Sequence, residues 1–350
     1  MVDLADIDVI APNFKRRLSG VTSTVIRLVP LQAEQMAITA CAPEMPEHVP
    51  NVAWPALLRM SRAGPRGARV WHARRNVEMI AGLALKRLLG KRLKLLFTSA
   101  SQRAHTGLTK ALIARMDAVI ATSAKTAAYL ERPATVIHHG IDTDTFAPTP
   151  DKAALKRALG LPPGPLLGCF GRIRAQKGTD VFVDAMISVL QSHGDAAGIV
   201  MGRAVDKDQA FLEDLRARVT AAGMADRILF LPEVPVWKTP EFYQALDIYI
   251  APQRWEGFGL TPLEAMACGA PAIATRVGAF EELIVDGETG TLIDAGDVDQ
   301  MVAAANALLS DPAQLAAWSA NARRHMVDRF QLSQEAEAIM AIYRNLLAKG

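Results

Sequence analysis

At 350 residues, half of them apolar and 21% charged, the chain is long enough for two domains that each bury a core. No run nears the roughly 18 uncharged apolar residues of a membrane span, and the acidic start Met1-Val-Asp-Leu-Ala-Asp-Ile-Asp8 lacks the basic and apolar regions of a signal peptide. The net charge of +3 conceals an asymmetry: residues 1–150 hold 20 Lys+Arg against 11 Asp+Glu, and residues 151–350 hold 19 against 25, so the first half is either a solvated basic surface or one that faces an anionic partner.

Residues 7–12 read as a first strand, 13–20 as a loop made cationic by Lys15, Arg16 and Arg17, and 21–35 as a helix with Val25, Leu28 and Val29 at helical spacing. Further strands are expected at 36–40, 69–73, 93–98, 118–122 and 135–138, and helices at 76–89 and 106–116. The Pro-, Arg- and Gly-rich segment 42–66 reads as loop with one short helix. Short apolar runs alternating with amphipathic helices predict a parallel sheet with crossover helices. Turn formers crowd 139–165 and set the domain boundary at 150/151. A second series follows in 151–332, with strands at 166–170, 197–201, 228–231, 248–251, 272–274 and 291–293 and helices at 179–192 and 208–222. Residues 333–350 carry one more amphipathic helix, expected to pack back on the first domain.

Two loops of the second domain carry the chemistry. In Gly168-Cys-Phe-Gly-Arg-Ile-Arg-Ala-Gln-Lys-Gly-Thr179 a strand runs into Gly171, cations follow at Arg172 and Lys177, and a helix starts near Thr179. Backbone N–H groups and these cations could converge on a diphosphate; taken alone, a glycine turn with surface cations explains the element as well. In 245–264 a strand breaks at Pro252, and Glu256-Gly-Phe-Gly leads into a helix with Glu264 in its first turn. Two acids beside an anion cradle suggest recognition of hydroxyls, as on a sugar. Both loops follow parallel strands, whose carboxyl ends share one edge, so they are expected to line one pocket.

Other chemistries find less support. The doublets Asp6/Asp8, Asp142/Asp144 and Asp297/Asp299 read as strand flank, linker and helix cap rather than metal ligands, and no metal is expected. Cys41, Cys169 and Cys268 are too far apart for a disulfide framework or a zinc site, as befits a reducing, cytoplasmic compartment. Neither GxGxxG nor GxxxxGK[ST] occurs, which weighs against a dinucleotide oxidoreductase. Aromatic content of 6% without basic–aromatic interleaving weighs against nucleic acid. A non-catalytic nucleotide-binding module stays open as an alternative.

Glu256-Gly-Phe-Gly-Leu-Thr-Pro-Leu-Glu264 matches the E-x7-E signature of the retaining GT-B glycosyltransferases of family 4, and Gly171-Arg172…Lys177-Gly178 resembles their donor-diphosphate element. Arg16–Thr24, Val70–Asn76 and Gly168–Thr179 resemble the lipopolysaccharide inner-core mannosyltransferases that use GDP-mannose. The resemblance implies an α/β fold of two Rossmann-like, doubly wound domains facing a cleft. It implies retaining hexosyl transfer, most naturally mannose from GDP-mannose, with UDP- or ADP-glucose as alternative donors. The acceptor would be an anionic glycolipid such as lipopolysaccharide core, met in the cytoplasm with peripheral contact at the inner membrane surface. Arg172 and Lys177 would neutralise the leaving diphosphate. Glu256, with the N–H groups of Gly257, Phe258 and Gly259, would hold the sugar. Leu260 and Thr261 would lie along the diphosphate beside Gly171, Glu264 would take the ribose hydroxyls, Val234 would border the base, and Gly20 would approach phosphate or acceptor. Lys15, Arg16, Arg17, His72 and His105 are the acceptor-side candidates. Two departures from the family stand out. The strand Leu95–Ser101 lacks the histidine many relatives place there, which leaves His105, Ser99 and Gln102 as substitutes, and Pro252-Gln-Arg-Trp255 replaces the usual Pro-Ser.

Overall fold

The computed structural model describes residues 3–15 and 20–349. Two compact units emerge, Met1–His139 with Leu332–Gly350, and Gly140–Gln331. The first is built on β1 (Val9–Pro12), β2 (Ile38–Cys41), β3 (Asn51–Val52), β4 (Arg69–Ala73), β5 (Leu93–Ser99), β6 (Ala118–Ala121) and β7 (Thr135–Val136). They lie in the order β3-β2-β1-β4-β5-β6-β7, every neighbouring pair parallel. The second is built on β8 (Leu166–Phe170), β9 (Ala197–Met201), β10 (Ile228–Leu231), β11 (Ile248–Ala251), β12 (Ala272–Thr275) and β13 (Gly290–Ile293). Their order is β10-β9-β8-β11-β12-β13, again all parallel.

Both sheets are covered on both faces, and strand alternation divides their cores. Tyr249 and Ala251 of β11 enter one cluster of the second unit, and Ile248 and Ile250 enter the other. In the first unit Val9 and Ala11 face one cluster and Ile10 the opposite one. Burial on both sides explains why these strands read as unbroken apolar runs. In each unit the order reverses beside the first strand, at β1/β4 and at β8/β11. That is where loops from the carboxyl ends diverge and leave room for a ligand.

The helix Leu332–Ala348 belongs to the first unit. Ile339, Met340, Tyr343, Leu346 and Leu347 join the cluster of Val25, Leu28 and Val29. Burial of each such side chain is worth about 1.5–3 kcal/mol, enough to hold the returning tail.

The unit boundary differs from the expected 150/151 and falls at His139/Gly140. The turn-rich stretch after Gly140 is packed: Ile141 donates its N–H to the Phe330 carbonyl (2.8 Å), and Arg323 Nη1 donates to the carbonyls of Thr143, Phe146 and Ala267 (2.9 Å each). Residues rich in turn formers are thus structural cement of the second unit. Segment 42–66, read as loop with a helix, also contains β3; its Asn51 side chain bonds both N–H and C=O of Ala42 (2.9 and 3.1 Å). Two residues carry no periodicity, so this strand has no sequence signal. No helix among the described residues is long and apolar enough to cross a membrane.

Candidate active site

In the second unit β8 and β11 are direct neighbours, with Leu167 opposite Ile248 and Gly168 opposite Tyr249. Their following loops therefore leave the sheet side by side. The β8 loop passes Gly171 and a single 3-10 turn, Ala175–Lys177, and then reaches Gly178 in a left-handed conformation (φ +70°) that caps the helix Thr179–Ser192. A Cβ at Gly178 would stand 1.8 Å from the Pro252 carbonyl oxygen. Only glycine lets the two loops come this close, and φ > 0 demands it as well. The helix itself is set by Val181, Phe182, Ala185, Met186 and Val189, whose spacing turns one apolar stripe onto the sheet.

The loops are joined by two ion pairs. Lys177 Nζ contacts Glu256 Oε2, and Glu256 Oε1 accepts the Gly257 N–H (2.9 Å). Arg254 donates its backbone N–H to the Gln176 carbonyl (3.0 Å), and its guanidinium grips Asp180 through two bonds of 2.7 and 2.8 Å and the Ala175 carbonyl at 2.5 Å. Burial alone would raise the Asp180 carboxyl, but Arg254 together with the Asp180 and Val181 N–H groups holds it below the usual value. The departure Pro252-Gln-Arg-Trp255 thus supplies a strap that sequence reasoning missed. Its partners lie 74 to 79 residues back in the chain, so the sequence around Arg254 gives no local signal of where its fork will land.

Beyond Glu256 the chain turns at Gly259 (φ +98°), where a Cβ would meet the Phe280 ring at 2.2 Å, and enters the helix Thr261–Ala267 with Pro262 in its first turn. Phe258 and Gly259 are buried, while Leu260 and Thr261 are half-buried. Glu264 Oε2 accepts the Tyr243 hydroxyl (2.6 Å). Tyr243 is fully enclosed, and burial followed by the Glu264 charge drives its phenol well above the usual value, so it stays a donor. Tyr243 orients Glu264 and is a second residue the motif did not announce. Val234 packs half-buried against the same core, next to Glu233, which pairs with Arg203 at 3.7 Å. Arg172 is exposed, with no hydrogen bond or ion pair among the described residues. Arg172, Lys177, Glu256 and Glu264 are therefore carried on one edge of one sheet.

The first unit distributes its candidates differently. Gly20 opens the helix Gly20–Ala33, exposed, where a Cβ would meet nothing within 4 Å. Lys15 is exposed, and Arg16 and Arg17 lie outside the described residues. His72 requires correction as an acceptor-side residue. It is 0% exposed, with Nδ1 2.6 Å from the Tyr343 hydroxyl and Nε2 2.6 Å from Thr98 Oγ1. Burial, then Arg74, keeps it neutral by pushing its pKa far below the usual value, so it ties β4 to the C-terminal helix. His105 is partly buried beside a small cavity of about 130 Å³ that Lys110, Tyr129 and Arg132 also line; burial, Arg103 and Lys110 lower its pKa. Gln102 donates to Ser123 Oγ (3.2 Å), while Ser99 Oγ is buried without a partner among the described residues.

What the β1/β4 edge does assemble is Arg75 Nη1 on Asn13 Oδ1 (2.6 Å) and Glu78 Oε1 (3.0 Å), with Thr22 Oγ1 donating to Asn13 Oδ1 (3.2 Å). Glu78 is 0% exposed; burial raises its pKa against the Arg74 N–H and the charges of Arg75 and Arg74. Among the acidic doublets, Asp297 caps a helix by accepting the Gln300 N–H (2.9 Å), and Asp142 Oδ1 accepts the N–H groups of Asp144 and Thr145. No group of three or more His, Cys, Asp or Glu gathers among the described residues in a way that could hold a metal ion.

Comparison with known proteins agrees with this architecture. The profile of the family described as glycosyl transferases group 1 matches residues 151–325. The lipopolysaccharide core biosynthesis mannosyltransferase LpsB of Rhizobium meliloti (strain 1021) is 54% identical over 99% of this chain and 100% of its own. The lipopolysaccharide core biosynthesis mannosyltransferase LpcC of Rhizobium leguminosarum bv. viciae is 50% identical over 99% of each. Among solved structures, Anabaena HepE in complex with UDP superposes with a TM-score of 0.84 at 19% identity, covering 97% of this chain and 100% of its own. That likeness speaks for the fold, two Rossmann-like parallel-sheet domains of the GT-B class. With a profile match over half its length and full-length relatives at 50% identity and above, the chain belongs to the group 1 glycosyltransferases.

Proposed function

We propose that the chain transfers mannose from GDP-mannose to the core saccharide of a lipopolysaccharide precursor, an anionic glycolipid, with retention of anomeric configuration. The observation that carries the reading is the junction of Lys177 with Glu256 and the Gly257 N–H, which sets a cation, a carboxylate and a backbone donor side by side. The two full-length relatives, both named as lipopolysaccharide core mannosyltransferases, support the sugar and the acceptor class.

In this reading the acceptor hydroxyl oxygen attacks the anomeric carbon, whose bond to the diphosphate oxygen breaks. The proton passes to the departing diphosphate on the same face, and GDP leaves. Lys177 and Arg172 meet the charge that gathers on the leaving group, and such preorganised cations lower the barrier most where charge develops. Glu256 with the Gly257, Phe258 and Gly259 amides holds the sugar, Leu260 and Thr261 flank the diphosphate, and Val234 borders the base. Glu264, oriented by Tyr243, takes the ribose hydroxyls. No metal is assigned a role. Reaction takes place on the cytoplasmic side, with the protein peripheral to the membrane.

The test offers GDP-mannose, UDP-glucose and ADP-glucose with a truncated lipopolysaccharide acceptor and follows the anomeric proton by NMR. Mannose should pass from GDP-mannose alone, as the α-anomer. Glucose transfer would replace the donor, a β-linked product would replace the mechanism, and nucleotide binding without transfer to any acceptor would leave a binding module.

A further inference from the structure

The first unit carries an apolar groove of about 650 Å³ between the short helix Trp54–Arg59 and the last turns of the helix Asn76–Arg87. Its lips protrude: Leu88 is 81% exposed, Trp54 61% and Leu58 53%, with Leu89 beside them. They are not loose ends. Lys91 is buried, and its Nζ donates to the carbonyls of Leu58 (3.2 Å) and Met60, while the Arg92 N–H donates to the Arg62 carbonyl (2.7 Å). A buried ammonium therefore fixes one lip against the other, and soluble proteins seldom leave such a contiguous apolar patch in water.

Charge and lining together select the occupant. Residues 51–100 contain eleven Lys+Arg and a single acid, Glu78, which is buried. Arg59 and Arg87 are exposed at the C-terminal ends of the two helices that form the lips, and Arg62 and Arg92 are exposed in the segments that follow them. The groove itself is lined solely by apolar residues, from Phe14 and Pro43 at one end to Leu89 at the other. A peptide laid there would leave its N–H and C=O groups unpaired, at a cost; an acyl chain has none to pair. Apolar lips followed directly in the chain by exposed arginines match an anionic bilayer surface.

We propose that this groove is a membrane-seating surface. Trp54, Leu58, Leu88 and Leu89 enter the acyl boundary, and Arg59, Arg62, Arg87 and Arg92 meet headgroup phosphates. Phe14 and Pro43 follow β1 and β2, so one end of the groove opens at the carboxyl edge of the sheet, next to Asn13 and Lys15. A lipid-borne acceptor would thus arrive at the edge that has to receive it. The inference rests on the glycolipid reading above and extends it to a defined surface.

Cosedimentation of the full chain with phosphatidylglycerol–phosphatidylcholine vesicles, against pure phosphatidylcholine, tests it. Wild type should pellet with the anionic vesicles and at least about tenfold less with the neutral ones, and added salt should release it. Trp54→Ser/Leu88→Ser and Arg87→Gln/Arg92→Gln should each lose about tenfold or more in partitioning while keeping the wild-type melting curve. Undiminished binding by the Ser pair, or equal binding to both vesicle types, overturns the proposal. So does lipid-independent dimerisation that the Ser pair abolishes, which would give the groove to a second copy. Transfer to a deacylated acceptor, run in parallel, separates the two readings: transfer without vesicle binding removes only the membrane surface, and vesicle binding without transfer removes only the transferase reading.

Discussion

The first and second units lay their strands in the same reversed order, yet the edge at β8/β11 and the edge at β1/β4 are built to different ends. At β8/β11 two loops are locked together by Lys177–Glu256, by Arg254–Asp180 and by the backbone approach of Gly178 to Pro252. At β1/β4 the side chains of Arg75, Asn13, Thr22 and Glu78 satisfy one another, and the apolar and cationic surface lies along the flanking helices. A shared topology supplies the place for a ligand; the residues at the reversal and on the flanking helices decide whether the unit offers a polar grip between two loops or an apolar and cationic surface. For a transferase this division is sensible, since the departing diphosphate needs preorganised charge and a lipid-borne acceptor needs access.

Removing charge from the rigid edge should break the contrast most. Lys177→Ala and Arg172→Ala should each lower kcat by about 100-fold or more; near-normal turnover in both would take the leaving-group role away from this loop. Gly178→Ala attacks the same edge through the backbone. The left-handed conformation costs a residue with a Cβ about 1–2 kcal/mol, and the Pro252 carbonyl adds a clash, so urea denaturation should show a loss of about 2 kcal/mol or more. A midpoint unchanged from wild type would mean that the loops are not pinned there.

Arg254→Ala sharpens the comparison by loosening the strap without touching the cations. Both partners are partly exposed, so the stability change should stay within about 1 kcal/mol, while kcat/KM falls roughly tenfold through misplacement of Lys177. Arg254→Lys should recover part of that, because it restores the charge but not the fork. Equal losses in both variants, matched by an equal loss of melting temperature, would reduce the strap to a structural brace.

The smallest effect belongs to the first unit. His72 is neutral in the fold with its pKa depressed, so below about pH 6.5 the unfolded chain binds a proton that the folded one refuses. Stability then falls as pH falls through that window, by about 1 kcal/mol between pH 6.5 and 5.5. His72→Gln should flatten this slope whatever it does to the absolute stability. An unaltered slope would return His72 to the acceptor-side candidates.

Much of this is legible in the sequence. Both-face burial wrote the strands as apolar runs, and β4, β8, β9, β10 and β11 fall where those runs predict them. The Glu256–Glu264 element announced itself through glycines and acids at fixed local spacing. Turn chemistry misled at 140–149, because a dense cluster of Gly, Asp and Pro signals a break in periodicity whether the chain then leaves a domain or folds tightly onto it. His72 misled likewise, since it lies on β4, which β1 and β5 flank and the C-terminal helix covers.

Sequence alone therefore determined what is set by residues close in the chain: the strands, the glycine turns, the signature loop and the charge imbalance between halves. Strand order came only with the tertiary structure, and with it every partnership across distant segments: Lys177 with Glu256, Arg254 with Asp180, Tyr243 with Glu264, His72 with Tyr343, and Lys91 with the helix end at Leu58. Backbone periodicity is a local property, whereas a side chain's partner depends on which strands the core's packing makes neighbours.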